Sequence, residues 1–327
     1  MKLATLRTTE RDGRLLVVSR DLTRALDASA VAPDLQSALD AWDVAEPRLR
    51  ALSQSLEQGN PDGTFPLDPA RLAAPLPRAY AWIDASVYLN HMELARKLRG
   101  APNPVGYQQE PMLANGAASF LGGRDPLGLP PGDVGLDIEG EVAAILGDVP
   151  VNTPVSEAAR YIRLFTLVND TTLRTVFADQ HERGFTSYHG KLTCVMAPVA
   201  VTPDELGAAW DGRVITAPLR CEINGQLLGE PNTGVDWYFD FPTIVAAATR
   251  YRALMAGTVL GSGTVSNRAR AAGSACIAER RMLEVLDAGA PKTPYLQPGD
   301  TLRIDMRDPM GQSLFGAIEQ QVVARAR

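Results

Sequence analysis

Three acids at alternate positions, Asp137-Ile138-Glu139-Gly140-Glu141, and a fourth further on in Asn169-Asp170 are the residues of this chain best suited to chemistry. Successive side chains of a β-strand point to opposite faces, so a spacing of two puts all three carboxylates on one face. Val134, Leu136 and Ile138 before them and Val142 to Leu146 after them mark a strand that enters a core. Carboxylates crowded on one face repel one another and need a cation. Oxygen ligands of this kind select Mg2+, Ca2+ or Mn2+ over zinc. A solvated face of an edge strand would give the same pattern without chemistry. Asp170, however, closes the apolar run Tyr161 to Val168, which reads as strand or helix, and a charge at the end of a buried segment calls for a partner. The reading is a divalent metal site.

The elements that must position these acids follow from patterning. The chain has 327 residues, of which 45% are apolar, 6% aromatic and 21% charged, an ordinary balance for a globular enzyme. A net charge of -6 argues against a nucleic-acid partner. No run approaches the roughly 18 to 20 apolar residues of a membrane span. The first residues turn polar too soon for a signal peptide, and Cys194, Cys221 and Cys276 form neither a disulfide framework nor a zinc spacing. A cytoplasmic protein is expected. Leu3 to Val18 predicts a hairpin around Asp12-Gly13. Pro33 to Leu56 has helical spacing, with Pro47 expected to divide it, and the proline-rich stretch Pro66 to Pro77 reads as a linker. The expected organisation is therefore a small N-terminal module over residues 1–75 and a larger domain over 76–327. Beyond the linker, short β-like segments dominate, such as the Asn224-Gly225 hairpin and Thr301 to Met306. Helices are fewer: Val155 to Phe165, Pro203 to Trp210, Pro242 to Met255 and Ile277 to Leu286. The pattern is mostly β with some helices, an α+β class, with no regular alternation of the kind that makes a doubly wound parallel sheet.

Asp137-Ile138-Glu139-Gly140-Glu141-Val142, Val168-Asn169-Asp170 with Arg174, His189-Gly190-Lys191 and Leu260-Gly261-Ser262-Gly263-Thr264 occur in an order and spacing that resemble the fumarylacetoacetate hydrolase family. The likeness is to its fumarylacetoacetase-like branch, which carries an N-terminal module. It implies a β-roll catalytic domain, usually paired as a homodimer, with a metal held by Glu139, Glu141 and Asp170. Asp84, seven residues before His91, reproduces the spacing of a further family ligand, though it could instead cap a short helix. His91 resembles the family's general base, with Glu279 as its orienting partner or Glu93 in its place. Lys191 would set positive charge beside a developing enolate or orient the attacking water. Thr264 would donate to a substrate carboxylate. Arg174 would add positive charge near the site or form a salt bridge.

The resemblance implies a metal-dependent hydrolase of a C–C bond in a β-diketone or acylpyruvate. Fumarylacetoacetate is the lead substrate, from aromatic amino acid catabolism, and Mg2+, Ca2+ or Mn2+ is the cofactor. The alternative within the same family is a decarboxylase or isomerase of a 2-oxo acid such as oxaloacetate. Phe177 stands where the family often has a substrate-binding glutamine, so the part of the substrate read there is expected to be less polar, unless Gln180 or His181 substitutes.

Overall fold

A strand of 12 residues, Ile162–Leu173, is the spine of the molecule and ends in the acidic segment. The computed structural model describes residues 1–117, 120–185 and 188–325. Aromatic and β-branched residues fill this strand and nearly all of it is buried, which suits a sheet interior. It pairs antiparallel with Gly140–Leu146 on one side, setting Gly140 opposite Asn169. On the other side it pairs with Lys191–Met196, setting Asp170 opposite Cys194. Val259–Gly261 joins Gly140–Leu146, and Trp82–Ala85 runs parallel to it with Asp84 opposite Gly261. The register therefore brings Asp84, Glu141, Asp170 and Lys191 to neighbouring strands of one sheet.

That sheet has thirteen strands among the described residues, and a second sheet of five runs Gln226–Gly229, Leu219–Ile223, Thr301–Met306, Ile318–Ala324 and Leu127–Leu129. The class is α+β and mostly sheet, as the sequence pattern implies. A buried core joins the two sheets, with Val142, Phe165 and Leu167 from the first and Leu219, Ile304 and Ile318 from the second. Phe165 lies 4.7 Å from Trp210 and 5.1 Å from Phe241, ring centre to ring centre. Among the described residues no helix is long and apolar enough to cross a membrane.

The N-terminal hairpin extends the larger sheet, with Lys2 opposite Val201 and Leu3 opposite Ala200. The proline-rich stretch after it lies along the first strand, where Thr5 Oγ1 donates to the Pro75 carbonyl and Ala73 N to that of Thr5.

Several expectations are corrected. Pro47 does not divide its helix: the break falls at Ala41, between Leu35–Asp40 and Trp42–Gln58, and Pro47 lies inside the second piece. Proline there removes one backbone donor, and the buried stripe of Trp42, Ala45, Leu49 and Leu56 holds the helix continuous. The helix expected from Val155 to Phe165 is confined to Val155–Ala158 and a following 3-10 turn, because the β-prone run from Ile162 enters the sheet. The helix at 242–255 is likewise shorter, Phe241–Ala248, and Pro203–Ala209 is 3-10 rather than α. The acidic segment is a strand in two pieces, Leu136–Asp137 and Gly140–Leu146. At the break the Asn169 side chain accepts from Glu139 N at 2.9 Å.

Phe165→Ala is expected to destabilise the protein by about 3–5 kcal/mol, the usual cost of emptying a packed aromatic site, measured as a shift of the urea unfolding midpoint at unchanged slope.

Candidate active site

Asp84, Glu141 and Asp170 each offer a carboxylate oxygen, and the three oxygens lie within 4.8 Å of one another. Asp84 stands on the strand Trp82–Ala85, and the helix after it starts at Leu89 with Tyr88 as its N-cap, so Asp84 caps no helix. Glu141 Oε2 accepts from Gly263 N at 3.1 Å, and Asp170 Oδ1 accepts from the indole of Trp82 at 3.3 Å. Gly263 is needed there: its φ is +76°, and a Cβ would sit 2.2 Å from the Ala85 carbonyl oxygen.

The arrangement fits a divalent cation on two counts. Oδ1 of Asp84 and Oε1 of Glu141 are sealed from water and have no hydrogen-bond partner. A buried acceptor left in that condition costs about 1–3 kcal/mol, which a cation between the oxygens would remove. The second count is charge. Asp84, Asp137, Glu139, Glu141 and Asp170 gather around two cationic side chains, Arg174 and Lys191, and a divalent ion would bring the set closer to balance.

Glu139 does not join the three converging oxygens. Arg174 Nη2 donates to its Oε1 at 2.5 Å and Lys191 Nζ to its Oε2 at 2.6 Å. Lys191 Nζ also reaches Asp170 Oδ2 at 2.6 Å and lies 3.7 Å from Asp84. Burial alone would push the Glu139 carboxyl up, but Arg174 and Lys191 outweigh it and hold the group below the usual carboxylate range. Asp84, Glu141 and Asp170 move the other way. Burial pushes all three up, reinforced by their neighbouring carboxylates and opposed by Lys191, and Asp84 is brought to about 7.

Opposite the carboxylates, His91 Nδ1 and Glu279 Oε2 are 2.9 Å apart. His91 comes from the helix Leu89–Leu98 and Glu279 from Ile277–Ala288. Glu279 is wholly buried, whereas the His91 side chain keeps 21% of its surface exposed. Glu93 is engaged elsewhere, by the Tyr107 hydroxyl and by Arg268, and does not face His91. Arg174 takes the salt-bridge option, pairing with Asp137 at 2.8 Å as well as with Glu139. Thr264 is buried and Lys191 nearly so; both line, with Asp84, His91, Glu139 and Arg174, one cavity of about 580 Å³. Phe177 lines it too, but Gln180 is not free to replace a missing glutamine. Its Oε1 accepts from the backbone of His189 and Gly190 at 3.0 and 3.1 Å.

Sequence reasoning missed what Asp137 does. Its two oxygens accept from Ile277 N at 2.6 Å and Ala278 N at 2.9 Å, the first residues of the helix that carries Glu279. The N-cap of that helix is Cys276, a weak acceptor. A helix start without Ser, Thr, Asp or Asn was the available sign that an acid from elsewhere must serve it.

The pattern described as Fumarylacetoacetate (FAA) hydrolase C-terminal matches residues 82–323. The chain belongs to the fumarylacetoacetate hydrolase family. Residues 1–78 match a second pattern, Fumarylacetoacetase N-terminal domain 2. An uncharacterised protein of Staphylococcus epidermidis is 27% identical over 169 residues, which are 52% of this chain and 48% of that protein. The chain thus spans about half the length of the curated relatives it matches. The fumarylacetoacetate hydrolase of Exiguobacterium antarcticum superposes with a TM-score of 0.67 at 23% identity, over 99% of this chain and 100% of that one. The maleylpyruvate hydrolase of Sphingobium sp. SYK-6, in complex with manganese (II) ion and pyruvate, gives 0.66 at 18%, over the whole of both chains. The 2-hydroxyhepta-2,4-diene-1,7-dioate isomerase of Mycobacterium marinum gives 0.61 at 19%, again over both whole chains. What these identities show is a shared fold. Family members of this fold include both hydrolases and isomerases.

The raised carboxyls carry a pH consequence. A carboxyl whose pKa is raised by folding favours the folded state while it is protonated, and loses that advantage as pH rises through its folded value. For Asp84 the window runs from its ordinary 3.8 to about 7. Chelator-treated protein is therefore expected to melt at a lower temperature at pH 8 than at pH 6. Added Mg2+ or Mn2+ should raise the melting temperature more at pH 8, and Asp84→Asn should flatten the dependence. Differential scanning fluorimetry across this range checks the sign.

Proposed function

We propose that this family member is a metal-dependent hydrolase that cleaves a C–C bond of a β-diketone or acylpyruvate. Fumarylacetoacetate, which would yield fumarate and acetoacetate, and simple acylpyruvates are the substrates to test. The observation that carries the proposal is the hydrogen-bonded His91–Glu279 pair, whose histidine lines the same cavity as Asp84 of the carboxylate triad. The manganese and pyruvate of the Sphingobium hydrolase support it, since an acylpyruvate contains a pyruvate unit.

Asp84, Glu141 and Asp170 would hold the cation, Mg2+ foremost with Mn2+ or Ca2+ as the others, and a cation there supplies Lewis acidity to the adjacent substrate oxygens. The remaining work belongs to side chains. The Glu279 carboxylate accepts from Nδ1 of His91 and so fixes the tautomer whose Nε2 keeps a lone pair. That nitrogen takes a proton from water as its oxygen bonds to the far carbonyl carbon, and Glu279 stabilises the imidazolium that forms. When the C–C bond breaks, its electron pair leaves as an enolate. Lys191, fixed by Glu139 and Asp170, keeps its charge beside it. The imidazolium returns its proton to the enolate carbon. Thr264 donates to the substrate carboxylate.

A decarboxylase or isomerase of 2-oxo acids is the second reading, favoured by the isomerase among the fold's relatives. It needs no water activation, which makes the His91–Glu279 pair the discriminating feature. Acetylpyruvate and fumarylacetoacetate consumption, followed by loss of diketone absorbance, is expected with Mg2+ and not after chelation. His91→Ala and Glu279→Gln should each lower kcat by about 10²–10⁴-fold while the metal-induced rise in melting temperature persists. Full turnover in His91→Ala would reject the hydrolytic mechanism, and carbon dioxide release from oxaloacetate in its place would establish the second reading.

A further inference from the structure

Three helices meet around the cavity, and each turns one stripe toward it. Arg174, Phe177 and Ala178 come from the helix Arg174–Glu182, His91, Ala95 and Leu98 from Leu89–Leu98, and Ala278, Met282 and Val285 from Ile277–Ala288. These are the i, i+3, i+4 and i+7 positions that share a helix face. The chemical character changes along each stripe. The starts carry Arg174, His91 and the neighbour of Glu279, next to the carboxylate cluster; the positions that follow are apolar except Arg281, with Arg99 just beyond Leu98. The cavity is thus polar at the end bearing Asp84, Glu139, Lys191 and Thr264 and apolar along its walls. From Ala278 to Val285 the wall extends about 10 Å at 1.5 Å per residue.

We infer that the acyl arm accepted here is apolar, an alkyl or aryl group the size of hexanoyl or benzoyl, and not one that ends in a carboxylate. The inference rests on the proposed diketone chemistry and specifies its substrate. Met92, Ala95, Leu98, Phe177, Met282 and Val285 form the surface that receives the arm. Leu98 keeps 39% of its surface exposed, apolar area that an arm would cover.

Arg99 and Arg281 also line the cavity and are the groups that could read a terminal carboxylate. Both are engaged. The Arg281 guanidinium donates to the Thr293 carbonyl and lies over the Tyr295 ring, 4.4 Å from its centre. Arg99 donates through Nε to the Ala95 carbonyl, at the exposed end of its helix. Gln180, three residues after Phe177, is held by the His189 and Gly190 amides.

The test has two arms that use the Mn2+-loaded full chain. The first compares kcat/KM for acetyl-, hexanoyl-, benzoyl- and fumarylpyruvate. The second measures binding of 2-oxo acids that carry no scissile diketone, pyruvate, 2-oxooctanoate and 2-oxoadipate, by calorimetry. Hexanoyl- and benzoylpyruvate are expected to exceed acetyl- and fumarylpyruvate by at least about tenfold, the lower bound for an added methylene in an apolar pocket. 2-Oxooctanoate should bind more tightly than the other two acids. Met282→Gln and Phe177→Gln should each reduce those ratios.

A preference for fumarylpyruvate and 2-oxoadipate, or no dependence on the arm, would overturn the inference while leaving the hydrolase reading intact. Graded binding of the apolar 2-oxo acids without turnover of any acylpyruvate would uphold the apolar arm and remove the hydrolase. Neither turnover nor graded binding would remove both.

Discussion

A chain of buried ion pairs underlies the site: Asp137 to Arg174, Arg174 to Glu139, Glu139 to Lys191, and Lys191 to Asp170. Charges taken out of water are tolerated only where each has a partner of opposite sign and its hydrogen bonds are met. Here the signs alternate from one strand to the next element and back. The chain ties the acidic strand, the helix Arg174–Glu182, the strand Lys191–Met196 and the end of Ile162–Leu173 to one another. Removing one member of such a pair strands its partner, at a cost of about 3–5 kcal/mol for a buried pair. Asp137 also holds the first amides of the helix bearing Glu279. The position of the His91–Glu279 pair is therefore set from the same electrostatic framework as the carboxylates that would hold a cation.

The acids of one motif thus divide three tasks. Asp137 anchors a helix, Glu139 neutralises two cations, and Glu141, which carries an unpartnered oxygen, converges with Asp84 and Asp170. Their common spacing predicts one face, but the strand breaks at Ile138–Glu139, and spacing says nothing of what stands opposite. This is where the sequence was legible and where it stopped. The acids, His91 and Glu279, Lys191 and the predominance of sheet could be read because they lie in local patterns or in motifs shared with a family. The partners of Glu139 come from Arg174 and Lys191, distant in the chain and adjacent only after Ile162–Leu173 has paired on both edges. Asp84 could not be separated from a helix cap until its strand was seen beside Gly261. The overextended helix at 155–165 has the opposite origin, since helical signals that hold from Val155 to Ala158 yield to a buried β-prone run. Gln180 illustrates a third limit: the residue type is suitable, but backbone amides nine and ten positions on have already taken its acceptor.

Chemistry and selection are also divided in space. The groups suited to bond breaking come from sheet strands and from helix starts, where pairing fixes them. The apolar cavity-lining groups that would meet the proposed acyl arm lie further along the same helices, where side chains can change without touching an ion pair. Such an arrangement lets one catalytic framework serve different arms within a family that contains both hydrolases and isomerases.

Trp82 joins these parts in another way. Its indole is buried, donates to Asp170 and lies close to Gly261, where a Cβ would strike the ring. The emission of an indole responds to the charge beside its N–H, and Asp170 is one of the three carboxylates whose charge a bound cation would offset. The molecule consequently carries an optical probe of its candidate cation site, placed by the fold and requiring no label.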